Sequence, residues 1–155
     1  MNGNFLSRAH NDRGDEYGGS LENRARLLRE VLADTKDAVG GRCAVAIRYT
    51  VDDQVDPDGE IDLAEGRAVV EMLAEIPDLW DVNIRQWSHD SITSRFGPEG
   101  SQEELVAFVK KVTSKPVVGV GRFTSPDTMV SQIRRGILDF IGAARPSIAD
   151  PFLPR

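Results

Sequence analysis

The chain has 155 residues, enough for one sizeable core but short of the roughly 200 to 250 that a complete eight-fold β/α barrel needs. With 25 acidic against 19 basic residues it carries a formal charge of -6, which disfavours non-specific attraction to nucleic acid or to an anionic membrane, and no apolar run approaches the ~18 residues of a membrane span. A single cysteine, Cys43, excludes an internal disulfide, a cysteine-rich zinc site and an iron–sulfur cluster built from these residues alone, so redox chemistry needs an imported cofactor.

The opening Met1-Asn2-Gly3-Asn4 lacks the charged and then apolar pattern of a secretory signal, and a cytoplasmic location is expected. From Ser20 to about Val39, Leu21, Ala25, Leu28 and Leu32, joined by Leu27 and Val31, keep helical spacing, with Ser20 placed to cap the helix after Gly18-Gly19. After Gly40-Gly41 the short apolar run Cys43-Ala44-Val45-Ala46-Ile47 predicts a strand covered on both faces that ends at Arg48, with Cys43 as a small buried apolar residue. An Asp-rich loop leads to a predicted helix from Leu63 to Ile76 and a strand from Leu79 to Ile84. A helix from Gln102 to Val112, a strand from Pro116 to Gly121, a helix from Pro126 to Arg135 and a strand from Leu138 to Gly142 complete the alternation.

Strands alternating with helices of these lengths predict a parallel α/β sheet with helical crossovers, either an open doubly wound sheet or part of a barrel; the pattern leaves both open. In both architectures functional groups gather beyond the C-terminal ends of the strands, where Arg48, Arg85, Arg122 and Arg145 fall. Four arginines on one rim of an acidic protein suit an anionic ligand, because guanidinium presents fixed paired donors to phosphate or carboxylate; solvated or ion-paired loop residues are the alternative. Gly119-Val120-Gly121-Arg122 precedes a helix opening at Ser125-Pro126, and Gly142-Ala143-Ala144-Arg145-Pro146 repeats the arrangement after the next strand. Paired small-residue turns after the last two strands are where many β/α barrels hold a phosphate.

Several segments carry a more specific signal: Asp15-Glu16-Tyr17-Gly18-Gly19-Ser20-Leu21-Glu22-Asn23-Arg24-Ala25-Arg26, Ala46-Ile47-Arg48, Ser94-Arg95-Phe96, Gly119-Val120-Gly121-Arg122-Phe123 and Ala144-Arg145-Pro146-Ser147-Ile148-Ala149-Asp150-Pro151. In order and wording they resemble the old yellow enzyme family, and within it the branch of trimethylamine, dimethylamine and histamine dehydrogenases. The resemblance implies an FMN-binding β/α barrel in which Arg48 reaches the pyrimidine edge of the isoalloxazine and Gly121, Arg122, Ala144 and Arg145 hold the FMN phosphate. It also places Asp90, in Trp87-Ser88-His89-Asp90-Ser91, beside the amine of a small amine substrate, where a carboxylate suits an ammonium; a loop-capping aspartate is the alternative. The Tyr17 to Arg26 segment reads as structural, with Glu22, Arg24 and Arg26 ion-paired.

The same resemblance implies that four strands and a Tyr/His pair beside the substrate lie upstream, and that a [4Fe-4S] cluster site and nucleotide-binding domains lie beyond Arg155 in multidomain members. The chain is then expected to be the C-terminal half of a barrel, about strands five to eight, as one partial domain: 1–40 the loop and helix of the fourth unit, 41–78 the fifth, 79–114 the sixth, 115–136 the seventh and 137–155 the eighth strand with its end. Half a barrel leaves two open sheet edges, so a second half barrel or a homo-oligomer is the expected partner, with no nucleic acid and no membrane. Two other functions remain open: a non-catalytic half that contributes only phosphate binding and assembly, and part of an FMN-dependent enoate reductase.

Overall fold

A computed structural model describes residues 3–52, 63–84 and 97–153. A short helix α1 (Gly3–Leu6) and a loop precede the long helix α2 (Leu21–Val39), whose Ser20 Oγ accepts the Asn23 N–H at 3.3 Å. At its other end Gly40 adopts φ 56, and its N–H reaches the Lys36 carbonyl; a left-handed residue there lets a glycine close the helix without Cβ strain. Ala25, Leu28 and Leu32 form the buried stripe of α2, three of the positions its spacing predicts.

Strand β1 (Ala46–Asp52) is followed by α3 (Leu63–Leu73), β2 (Leu79–Ile84), two four-residue helices α4 (Glu103–Val106) and α5 (Val109–Val112), β3 (Val117–Gly119), α6 (Pro126–Arg134), β4 (Phe140–Ile141) and α7 (Arg145–Ala149). The strands form one parallel sheet in the order β1-β2-β3-β4. A doubly wound sheet reverses its strand order to place helices on both faces, and this order has no reversal. Ile47, Tyr49 and Val51 of β1 and Trp80, Val82 and Ile84 of β2 are buried, with Tyr49 edge-on to Trp80 at 5.9 Å between ring centroids. Alternate residues point the other way: Arg48 lies opposite Asp81 and Thr50 opposite Asn83, while Phe140, opposite Val118, is 54% exposed. The sheet therefore has one helix-covered apolar face and one open face with a polar stripe.

Three expectations need correction. The first strand begins at Ala46 rather than Cys43 and runs through Arg48 to Asp52; Cys43 precedes it and is exposed. Only one face of this strand is covered, so its burial alternates and a charged residue sits in its middle without cost. The helix expected from Gln102 to Val112 is two short helices, because Leu105 and Lys111 donate to the third carbonyl back, Gln102 and Phe108, and the α-type ladder is interrupted. Ala107 and Phe108 keep right-handed helical dihedrals, so the axis continues across the break. The last two strands are shorter than expected, at Val117–Gly119 and Phe140–Ile141.

A repeated device pins the ends of the strands away from the arginine rim. Asp78, just before β2, accepts the Val45 N–H at 2.8 Å and pairs with Lys36 of α2 at 2.6 Å. Asp139, just before β4, accepts the Val117 N–H at 2.8 Å and pairs with Lys110 of α5 at 2.8 Å. Each aspartate thus ties the start of its own strand to the start of the neighbouring strand and to the helix that precedes that neighbour.

Candidate functional site

At the C-terminal ends of β3 and β4 lies a cleft of about 400 Å³. Ligand sites commonly measure about 300 to 1,000 Å³. Its wall contains all five residues singled out for a cofactor, Arg48, Gly121, Arg122, Ala144 and Arg145. Arg48 and Arg145, 97 positions apart in sequence, meet there because parallel strands in sequential order bring their trailing ends side by side.

Arg48 enters from within β1 rather than from beyond its end; its side chain is 60% exposed on the open sheet face and its Nη1 donates to Asp81 Oδ2 at 2.9 Å. Arg122 follows β3 at φ 57, the only non-glycine with positive φ among the described residues. A left-handed backbone at a residue with a Cβ costs on the order of 1 kcal/mol, and such strain concentrates at ligand sites. Arg145 opens α7. Among the described residues neither Arg122 nor Arg145 has an ion-pair partner, in contrast to Arg13, Arg24, Arg48 and Arg135. The alternative of salt-bridged loop arginines therefore does not describe these two.

Gly121 has a different structural reason from the one its motif suggests. A Cβ there would stand 3.3 Å from Gly100 Cα, and Gly100 N–H donates to the Gly121 carbonyl at 2.7 Å. The small residue makes room for a neighbouring loop, not only for a ligand. Thr124 N–H donates to Glu99 at 2.9 Å and fastens that loop to the same turn. Ser101 and Gln102 reach the cleft wall this way, and the sequence offers no spacing signal for them because strand adjacency alone brings them in. Gly142 is also constrained, since a Cβ would meet Val120 Cγ1 at 2.8 Å.

Asp90, Arg85, His89 and the Ser94-Arg95-Phe96 segment lie outside the described residues. Arg24 and Arg26 are structural: Arg24 pairs with Glu65 and donates to Gly19 O, while Arg26 donates to Glu16 O. Glu22 sits in the first turn of α2, where its own backbone N–H and then the Ser20 hydroxyl hold its carboxyl below the ordinary value. The expected ion pairing thus holds for Arg24. No helix among the described residues is long and apolar enough to cross a membrane, and no group of three or more His, Cys, Asp or Glu side chains among them is arranged to hold a metal ion.

Residues 2–155 match the NADH:flavin oxidoreductase / NADH oxidase family. The chain is 42% identical over 154 residues to dimethylamine dehydrogenase of Hyphomicrobium sp. (strain x), covering 97% of this chain and 21% of that protein. Histamine dehydrogenase from Rhizobium sp. 4-9 superposes with a TM-score of 0.92 at 55% identity, covering 99% of this chain and 22% of that one. The 6-hydroxypseudooxynicotine amine oxidase from Pseudomonas geniculata N1 superposes with a TM-score of 0.88 at 63% identity, covering 97% of this chain and 22% of that one. The chain thus spans about a fifth of the length of these relatives.

Proposed function

Since this chain belongs to the NADH:flavin oxidoreductase / NADH oxidase family, whose members are FMN flavoproteins, we propose that it supplies the phosphate side of an FMN site in an amine-oxidising enzyme. The observation that carries the reading is the meeting of Arg48, Gly121, Arg122, Ala144 and Arg145 on one cleft, with two guanidiniums free of ion pairs among the described residues. Guanidinium and backbone N–H groups only donate, so the cleft suits an acceptor-rich anion such as the FMN phosphate.

In this reading Arg122 and Arg145, with the turns at Gly121 and Ala144, grip the phosphate. Arg48 places a fixed positive charge against the flavin's pyrimidine edge, where it favours negative charge on the reduced cofactor. Flavin supplies the two-electron redox chemistry when bound; the protein binds it, orients it and sets its electrostatics. Asp90 accepts a hydrogen bond from the substrate ammonium.

The architecture proposed for the whole is a β/α barrel in which β1 to β4 are strands five to eight, with 1–40 from the fourth unit, 41–78 the fifth, 79–114 the sixth, 115–136 the seventh and 137–155 the eighth. The open sheet face, with Phe140 54% exposed, is then covered by a second half barrel or a second copy. The amine substrate is supported by the dimethylamine and histamine dehydrogenases among the relatives. A nicotinamide-dependent enoate reductase is the second reading; the family's NADH-linked description favours it, and it uses the same FMN grip.

The test is a titration of the purified chain with FMN and, separately, with riboflavin, followed by flavin fluorescence, with light scattering for mass. Saturable FMN binding is expected, weakened about tenfold or more by Arg145→Ala while riboflavin binding changes little, because a charged hydrogen bond to phosphate is lost. Absence of saturable binding at any mass overturns the reading for this chain.

A further inference from the structure

On the open face of the sheet, Arg48 and Asp81 are register partners in adjacent parallel strands, so their side chains stand next to each other by construction. Asp81 Oδ2 accepts from Arg48 Nη1 at 2.9 Å. Its other oxygen, Oδ1, is buried and has no hydrogen-bond partner among the described residues. A carboxylate with one oxygen buried and unpaired is unfavourable for folding, and threonine or valine would serve a strand better at this position. Arg48 lines the cleft, whereas Asp81 is not among the residues of its wall.

We infer that Asp81 is a positioning residue, which acts by holding the Arg48 guanidinium in place for the flavin. The inference rests on the FMN reading and adds to it a residue that no motif marks. A mobile arginine that is 60% exposed samples many rotamers; tethering one Nη1 to Asp81 leaves the remaining N–H donors fixed, so less order has to be imposed when a ligand binds. No other carboxylate pairs with the cleft arginines among the described residues.

Charge makes the inference testable by sign. FMN is anionic, and through space a carboxylate beside its site repels it and disfavours negative charge on the reduced flavin. A carboxylate acting only through space therefore predicts that Asp81→Asn tightens FMN binding and raises the midpoint potential of the bound flavin. A positioning role predicts the opposite: weaker binding and a lower potential, because Arg48 loses its fixed place.

The experiment measures FMN affinity and midpoint potential for the wild-type chain, Asp81→Asn, Arg48→Ala and the double variant, with thermal melts to confirm folding. Arg48→Ala is expected to weaken FMN about tenfold and Asp81→Asn about threefold, with Asp81→Asn adding nothing once Arg48 is absent. Asp81→Thr, which suits a strand, provides the same comparison where the asparagine variant does not fold. If Arg48→Ala weakens binding but Asp81→Asn leaves it unchanged, tightens it, or acts equally in the Arg48→Ala background, the positioning role is overturned and the FMN reading stands. No FMN binding by the wild-type chain overturns the FMN reading, and the positioning role falls with it.

Discussion

Arg24, 3% exposed, binds Glu65 across the α2–α3 contact at 2.6 Å, and the same guanidinium donates to the carbonyls of Leu6 and Gly19. One side chain thereby joins α1, the Gly18-Gly19 turn, α2 and α3. A buried cation tolerates this only when its donors are satisfied, and here four hydrogen bonds to three elements satisfy them. Replacing Arg24 with Met takes a donor from two carbonyls and the buried guanidinium from Glu65, which keeps its contact with Arg8 at 3.7 Å. We predict a loss of about 3 to 5 kcal/mol in urea-induced unfolding, with Arg24→Lys recovering only part, since an ammonium lacks the planar fork. A loss below about 1 kcal/mol would show that the pairing is not structural.

Gly66 is required by contact rather than by dihedral angle. A Cβ at this position would lie 1.9 Å from the Val51 carbonyl oxygen, so α3 rests directly on β1. Gly66→Ala is predicted to cost about 2 to 3 kcal/mol, more than an ordinary overpacked position, because the obstruction is backbone. Gly14, with open space around it and no positive φ, is the control; its alanine variant should be neutral or slightly stabilising. Equal effects at the two positions in chemical denaturation contradict the packing described.

Acid sensitivity follows from Asp78. The Lys36 ammonium, and then the Val45 N–H, hold its carboxyl below the ordinary value. A depressed folded pKa means stability that is present above the unfolded value and is lost as pH falls through the folded one. The wild-type chain should therefore shed this contribution in the range below about pH 4. Asp78→Asn should be less stable at neutral pH and show a shallower decline in acid, the two stability curves drawing together at the lowest pH. Parallel curves in a pH series of thermal melts argue against it.

In the proposed FMN site Arg122 would trade stability for binding. At φ 57 its backbone is one that glycine adopts freely. Arg122→Gly removes the strain but makes the unfolded chain more flexible, so we predict a net stabilisation of at most about 1 kcal/mol. The same variant should weaken FMN about tenfold through loss of the guanidinium. A variant that binds FMN as the wild type does removes Arg122 from the site.

The α2 stripe, its Ser20 cap and the Gly40 stop were legible in the residues, as were the order of β/α elements and the arginines around which the cleft forms. These follow from local periodicity and from side-chain chemistry that does not depend on distant neighbours. The full extent of β1 was not legible, because its apolar run suggested cover on two faces and only the assembled sheet shows that one stays open. The interruption between α4 and α5 was hidden for a similar reason: Ala107 and Phe108 suit a helix, and the change lies in which carbonyl each N–H finds.

By itself the sequence determined that strands and helices alternate, that the surface is acidic, and that Gly-Val-Gly-Arg and Ala-Ala-Arg turns carry donors suited to an anion. Only the tertiary structure decided between a doubly wound sheet and sequential strand order, placed Arg48 within its strand, and set Asp81 against it. Those outcomes depend on which strand lies beside which and in what register, and side-chain pairs 33 residues apart leave no local pattern to read.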